Sequence, residues 1–88
     1  MKVKIKFTPQ AQVDLEFWKR TDKKTALKIL SLIEEICQTP YTGRGKPEPL
    51  KYALTGCWSR RINMKDRLVY KVEGDHIILL ILAARGHY

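Results

Sequence analysis

Residues 58–84, WSRRINMKDRLVYKVEGDHIILLILAA, are the stretch on which the reading of the fold turns. Two short runs, 58–63 and 67–72, are separated by Met64, Lys65 and Asp66, and in the second run Leu68, Tyr70 and Val72 alternate with Arg67, Val69 and Lys71. Successive side chains of a strand point to opposite faces, so this pattern predicts a β-hairpin. Gly74 and Asp75 then turn the chain into residues 76–84, an almost unbroken apolar run that fits a strand covered on both faces near the sheet centre. Tight turns join antiparallel neighbours, so the three strands predict a meander.

Upstream, the period changes. Residues 2–7 alternate Lys2, Lys4 and Lys6 with Val3, Ile5 and Phe7, the pattern of a half-buried strand. Thr8 and Pro9 then supply a helix cap and a first helical residue whose missing N–H leaves nothing unsatisfied. Ala11, Leu15 and Trp18 give this first helix an apolar stripe that ends near Arg20. Thr21 or Asp22 caps a second helix, with Ala26, Ile29, Leu30, Ile33 and Cys37 as its stripe, and Pro40 stops it. The predicted architecture is α+β in the order β-α-α-β-β-β: a helical hairpin packed on one face of a mostly antiparallel sheet. The first strand joins at an edge and the opposite face is left to the arginines. Residues 1–88 read as one domain, since a chain of 88 residues supports a single modest core.

Charge is concentrated where the chain is least regular. Residues 43–71 carry eight basic and two acidic side chains, within a chain of formal net charge +8. Such focusing favours a polyanionic partner over a uniformly solubilising surface. There is no apolar run long enough for a membrane span and no signal-peptide core, so a cytoplasmic protein without a membrane partner is expected. Cys37, Cys57, His76 and His87 show no metal-ligand spacing, so the cysteines read as reduced packing residues and no metal or cofactor is expected.

Glu48 stands between Pro47 and Pro49 in the loop GRGKPEPLK, residues 43–51, among Arg44, Lys46 and Lys51. Two readings are open: a salt-bridge partner that relieves the cationic cluster, or a catalytic base facing a bound phosphodiester. A metal-independent ribonuclease needs a base for the ribose 2′-OH, cations for the phosphate and an acid for the departing 5′ oxygen. Glu48, the group Arg60, Arg61 and Arg67, and His87 are of those three types, while His76 reads as a strand-terminal residue.

The blocks GKPEPLK (45–51) and WSRRI (58–62), with Phe7-Thr8, Arg67-Leu68-Val69-Tyr70 and the closing His87-Tyr88, resemble the YoeB/Txe branch of the RelE/ParE superfamily of bacterial toxins. The resemblance runs nearly end to end. It implies a RelE-like fold and a ribosome-dependent endoribonuclease that cuts mRNA in the ribosomal A site by 2′-OH attack and so inhibits translation. It also implies Glu48 as general base, Arg67 as phosphate-stabilising arginine, His87 as general acid and Tyr88 as a substrate-contacting aromatic. Lys46, Lys51, Arg60 and Arg61 would bind RNA or the ribosome. The implied partners are the ribosome with its mRNA and a cognate antitoxin of the YefM/Axe type, and relatives of this branch often form homodimers. The alternative is a non-catalytic basic binding module on the same fold, either a gyrase-poisoning relative or an inactive toxin.

Overall fold

The computed structural model describes residues 4–52, 55–74 and 76–81, with the backbone alone for residues 79–81. Lys2, Val3, Asp75, residues 82–84, His87 and Tyr88, all named above, lie outside the described residues. Strand β1 (Lys4–Phe7) runs into helix α1 (Pro9–Thr21) through Thr8, whose Oγ1 accepts a hydrogen bond from Ala11 N at 3.2 Å. Asp22 closes α1 through its own N–H, which donates to Trp18 O, and opens helix α2 (Lys23–Gln38) through Oδ1, which accepts from Thr25 N at 3.2 Å. A side-chain oxygen at such a position satisfies one of the amides that a helix start leaves without a partner.

Four strands follow: β2 (Glu48–Pro49), β3 (Cys57–Arg61), β4 (Arg67–Glu73) and β5 (His76–Ile81). Among the described residues they and β1 form one sheet in the order β1-β5-β4-β3-β2. The antiparallel meander β3-β4-β5 agrees with the sequence reading, and β1 joins β5 at an edge, in parallel. The two-residue β2 lies on the opposite edge, within the stretch that the sequence reading treats as loop; it pairs antiparallel with β3.

Both helices cover the same face. Ala11 and Leu15 are buried there with Trp18 packed beside them, as the first stripe predicted. The second stripe is rotated from its predicted position. Ile29, Leu32, Ile33 and Ile36 are buried, whereas Leu30 is 42% exposed and Cys37 only half-buried. The buried positions centre on Ile29, Ile33 and Ile36, and the steps to Leu30 and Cys37, one residue or about 100° from Ile29 and Ile36, leave the contact arc. Ile5 is likewise 40% exposed, because its strand is at the sheet edge.

Directly opposed residues of an antiparallel pair share a face, so the register sorts the sheet. Trp58, Arg60, Leu68, Tyr70 and Val72 face the helices; Glu48, Ser59, Arg61, Arg67 and Val69 face away. This corrects the reading of Arg60 as an RNA-binding residue. Arg60 is 0% exposed, its alternation with Trp58 and Ile62 placing it on the apolar side. Every nitrogen of its guanidinium has an acceptor. Nε donates to the Tyr70 hydroxyl at 3.3 Å, Nη1 to Glu35 Oε1 at 3.0 Å and Arg44 O at 3.4 Å, and Nη2 to Thr39 O at 2.5 Å and Thr42 O at 2.7 Å. The Tyr70 hydroxyl in turn donates to Pro40 O.

Arg60→Ala leaves the Thr39, Thr42 and Arg44 carbonyls without their donor and takes one of two cations from Glu35, so it is expected to lower unfolding stability by about 3–5 kcal/mol in urea titrations. Arg61→Ala, one residue along but on the exposed side, should stay within about 0.5 kcal/mol. The pH response has a definite sign as well. Hydrogen bonds from the Arg44 side chain and amide hold the Glu35 carboxyl below the ordinary carboxylate range, and the Thr25 hydroxyl and amide do the same for Asp22. A carboxyl depressed by folding stabilises the native state above its unfolded pKa, about 4.3 for Glu, and that contribution is lost as pH falls through the folded value. The difference in melting temperature between the wild type and Glu35→Gln should therefore be largest at neutral pH and close as pH is lowered below about 4.

Candidate functional site

The site is built on the connection between α2 and β3. From Thr39 the chain must leave a helix end, cross the mouth of the two-layer core and arrive beside β3 at Glu48. Glu35, half-buried on the last turn of α2, receives it: Oε1 accepts from Arg44 N at 2.6 Å and Oε2 from Arg44 Nε at 2.7 Å, while Arg44 Nη2 donates to Ser31 Oγ at 2.7 Å. Gly43 turns at φ +118°, and a Cβ there would sit 2.0 Å from Glu35 Oε1, so this position requires glycine both for backbone freedom and for space. Gly45 O then accepts from Arg61 N at 2.7 Å, Lys46 takes the left-handed φ of +49°, and after Glu48 and Pro49 Leu50 N donates to Cys57 O at 2.9 Å.

The chain thus places Glu48 opposite Ser59, on the face away from the helices. Arg61 lies two residues further along β3 on that face, a diagonal neighbour at about 7–8 Å in such a ladder, and Arg67 stands directly opposite Arg61, with Cβ atoms about 4.5–5.5 Å apart. Two like charges directly opposed across a ladder repel. Among the described residues neither arginine forms an ion pair, and neither do Glu48, Lys46 or Lys51. Arg67 makes one long hydrogen bond, Nη1 to Asn63 O at 3.5 Å. The salt-bridge reading of Glu48 therefore finds no partner among the described residues. What the face offers is one exposed carboxylate beside two uncompensated guanidinium groups, an arrangement that an anion would relieve.

Beside it a cleft of about 550 Å³ opens between α2, the 44–46 loop and the turn after β3. Buried Leu32 and Ile62 line it together with the exposed Met64, and Lys28, Lys46 and Arg61 stand round it. Arg61 thus belongs to both the cleft and the carboxylate face, and Lys46 lines the cleft two residues before Glu48. Lys51 is exposed two residues beyond β2. His87 and Tyr88 lie outside the described residues, so the acid and the aromatic of the sequence reading have no place in this geometry. Among the described residues no cluster of His, Cys, Asp and Glu could hold a metal, and no helix is long and apolar enough to cross a membrane.

The structure brings together Glu48, Arg61 and Arg67 of the predicted site, sets Lys46 in the adjoining cleft, withdraws Arg60 into the core and adds Glu35, which sequence reasoning passes over. A usable signal for Arg60 is its parity with Trp58 and Ile62. For Glu35 there is only its position near the end of a helix that a glycine-punctuated, arginine-containing loop follows.

With this geometry established, comparison with known proteins gives a consistent answer. The family described as the YoeB-like toxin of bacterial type II toxin-antitoxin systems matches residues 7–88. Toxin YoeB of Escherichia coli K12 is 46% identical over 86 residues, spanning 98% of this chain and 100% of that one. Among solved structures, a YoeB dimer from Staphylococcus aureus superposes with a TM-score of 0.88 at 42% identity, all of both chains being covered. A heterotetrameric YoeB-YefM toxin-antitoxin complex from the same organism gives 0.86 at 42% identity, again over the whole of both chains.

The cationic face makes a measurable prediction. In anisotropy titrations with single-stranded RNA at several salt concentrations, Arg61→Ala and Lys46→Ala should each weaken binding and flatten the log-affinity against log-salt slope by about 0.7 for each phosphate left without its cation. Lys23→Ala, on the helical side of the sheet, should leave the slope unchanged.

Proposed function

This chain belongs to the YoeB-like toxins of bacterial type II toxin-antitoxin systems, and from that premise we propose that it is a metal-independent endoribonuclease that cuts mRNA on the ribosome. The observation that carries the reading is the Glu48 carboxylate, without an ion-pair partner among the described residues, sharing a sheet face with Arg61 and Arg67. A surface meant only to bind a polyanion would gain from a lysine at that position and lose from a carboxylate.

In the proposed reaction Glu48 takes the proton of a ribose 2′-OH, and the 2′ oxygen attacks the adjacent phosphorus. Negative charge grows on the non-bridging oxygens, where Arg67, with Arg61 beside it, stabilises it without having to reorganise. The bond from phosphorus to the 5′ oxygen breaks, and His87 delivers the proton that this leaving oxygen requires. The products are a 2′,3′-cyclic phosphate, open to hydrolysis to the 3′-phosphate, and a free 5′-OH. Tyr88 would stack on or contact the substrate, and Lys46 and Lys51 would hold RNA or ribosome. Arg60 has no part in substrate contact, being buried.

The partners follow from the same membership. The S. aureus YoeB-YefM complex supports a YefM-like antitoxin as the partner of this chain, and the S. aureus YoeB dimer supports self-association. An acidic antitoxin segment would find its complement on the face that carries Arg61 and Arg67.

The test is to incubate the purified protein with mRNA, with and without ribosomes, and map the ends by primer extension. Cutting is expected only with ribosomes, and Glu48→Gln and His87→Gln should each lower its rate by about 10²- to 10⁴-fold while ribosome binding is retained. Ribosome binding without any cutting by the wild type would leave a binding module in place of the enzyme.

A further inference from the structure

We propose that Glu35, acting together with the buried Arg60, is a positioning residue that sets the register of Glu48 and so controls the rate of the cleavage step. The inference rests on the reading of Glu48 as the base. Its starting point is the length of β2, which is 2 residues. A strand so short has little pairing of its own with which to define a register, and a slip of one residue against β3 would carry the Glu48 side chain from the substrate face to the helix face. The register must therefore be imposed from the flanks.

The flanks are held by named hydrogen bonds. On the C-terminal side there is the Leu50 N to Cys57 O bond of 2.9 Å. On the N-terminal side the Gly45 O to Arg61 N bond of 2.7 Å fixes the loop against β3, three residues before Glu48. That second bond forms only if residues 42–45 arrive at the right height above the sheet, and four backbone groups converge on Arg60 and Glu35 to place them. Thr39 O and Thr42 O lie on Arg60 Nη2, Arg44 O lies on Nη1, and the Arg44 amide lies on Glu35 Oε1. Glu35 Oε1 occupies the space of a Gly43 Cβ, so the carboxylate and the bend in the backbone are fitted to each other. Arg60 and Arg61 are consecutive on β3, so one short backbone segment anchors the loop from its inner side and presents a guanidinium beside Glu48 on its outer side. Base and phosphate-binding arginine are thereby referenced to the same peptide.

A residue needed only for stability would act on all functions alike, whereas a positioning residue acts through Glu48. Single-turnover cleavage on saturating ribosomes distinguishes the two in four proteins: wild type, Glu35→Gln, Glu48→Gln and the double variant, all used below their melting temperatures. Misplacing a reacting group by about 1 Å can reduce rate by about 10²-fold, so Glu35→Gln is expected to cut about 10- to 100-fold more slowly with its ribosome affinity unchanged. In the Glu48→Gln background the same substitution should change the residual rate by less than about twofold, because the group it positions is gone. Amide exchange at Arg61 and Leu50 should accelerate in Glu35→Gln while that at Tyr70, in the sheet centre, does not. Equal losses in both backgrounds, or wild-type cutting by Glu35→Gln, would overturn the proposal. Undiminished cutting by Glu48→Gln alone would remove the base assignment itself, and is read from a different pair of proteins.

Discussion

The buried guanidinium of Arg60 is the constraint to which the rest of the structure answers. Taking an arginine out of water is unfavourable unless its charge is paired and its donors are matched. Here Glu35 supplies the countercharge and Tyr70, Thr39, Thr42 and Arg44 supply the remaining acceptors. Three of those acceptors are main-chain carbonyls of a segment with no helix or strand of its own. Irregular backbone over a core would otherwise leave such groups unsatisfied. A well-packed apolar side chain in place of such a pair is often no less stable. What it could not do is specify where residues 39–44 run, and the candidate site depends on that path.

A second consequence is the separation of like charges by strand parity. Arg60 and Arg61 are adjacent in sequence, yet one is buried against Glu35 and the other is exposed beside Arg67. The buried charge is neutralised locally, so the field on the outer face comes from Arg61, Arg67 and the loop lysines. Glu48 shares the face, but among the described residues no carboxylate forms an ion pair with these cations, which leaves the face favourable for a phosphate.

Much of this is legible in the sequence because it is governed by short-range rules. The Thr8-Pro9 start of α1, the Asp22 cap, the β3-β4-β5 meander and the edge position of β1 each follow from local pattern or from the shortness of a connection. The grouping of Glu48 with Arg61 and Arg67 is legible too, since it needs only a hairpin and a loop that ends beside it. What is not legible depends on tertiary geometry. The rotation of the α2 stripe away from Leu30 is set by how the helix lies on the sheet, and several aliphatic faces are equally consistent with its spacing. The burial of Arg60 contradicts the strong tendency of arginine to stay in water, and only its alternation with Trp58 and Ile62 speaks against that tendency. The contacts of Glu35 with Arg44 and Arg60 join separate parts of the chain, for which a single sequence carries no signal.

For the proposed role of Glu48 as the base, its location on an edge strand resolves two demands that oppose one another. A base that must reach the 2′-OH of an RNA bound to a much larger particle has to be exposed, and an edge strand next to a basic cleft is accessible from outside the fold. A base must also be held in place before the substrate binds, because reorganisation during the reaction adds to the barrier. Central strands are well held and poorly accessible, whereas loops are accessible and poorly held. A two-residue strand anchored at both ends is a third solution: Pro47 and Pro49 restrict the backbone on either side of Glu48, and the bonds at Gly45 and Leu50 tie it to β3. Under the positioning role proposed for Glu35 and Arg60, the rigidity of this element is borrowed from the ion pair on the other side of the sheet, which would place the chemistry on the surface and its support in the core.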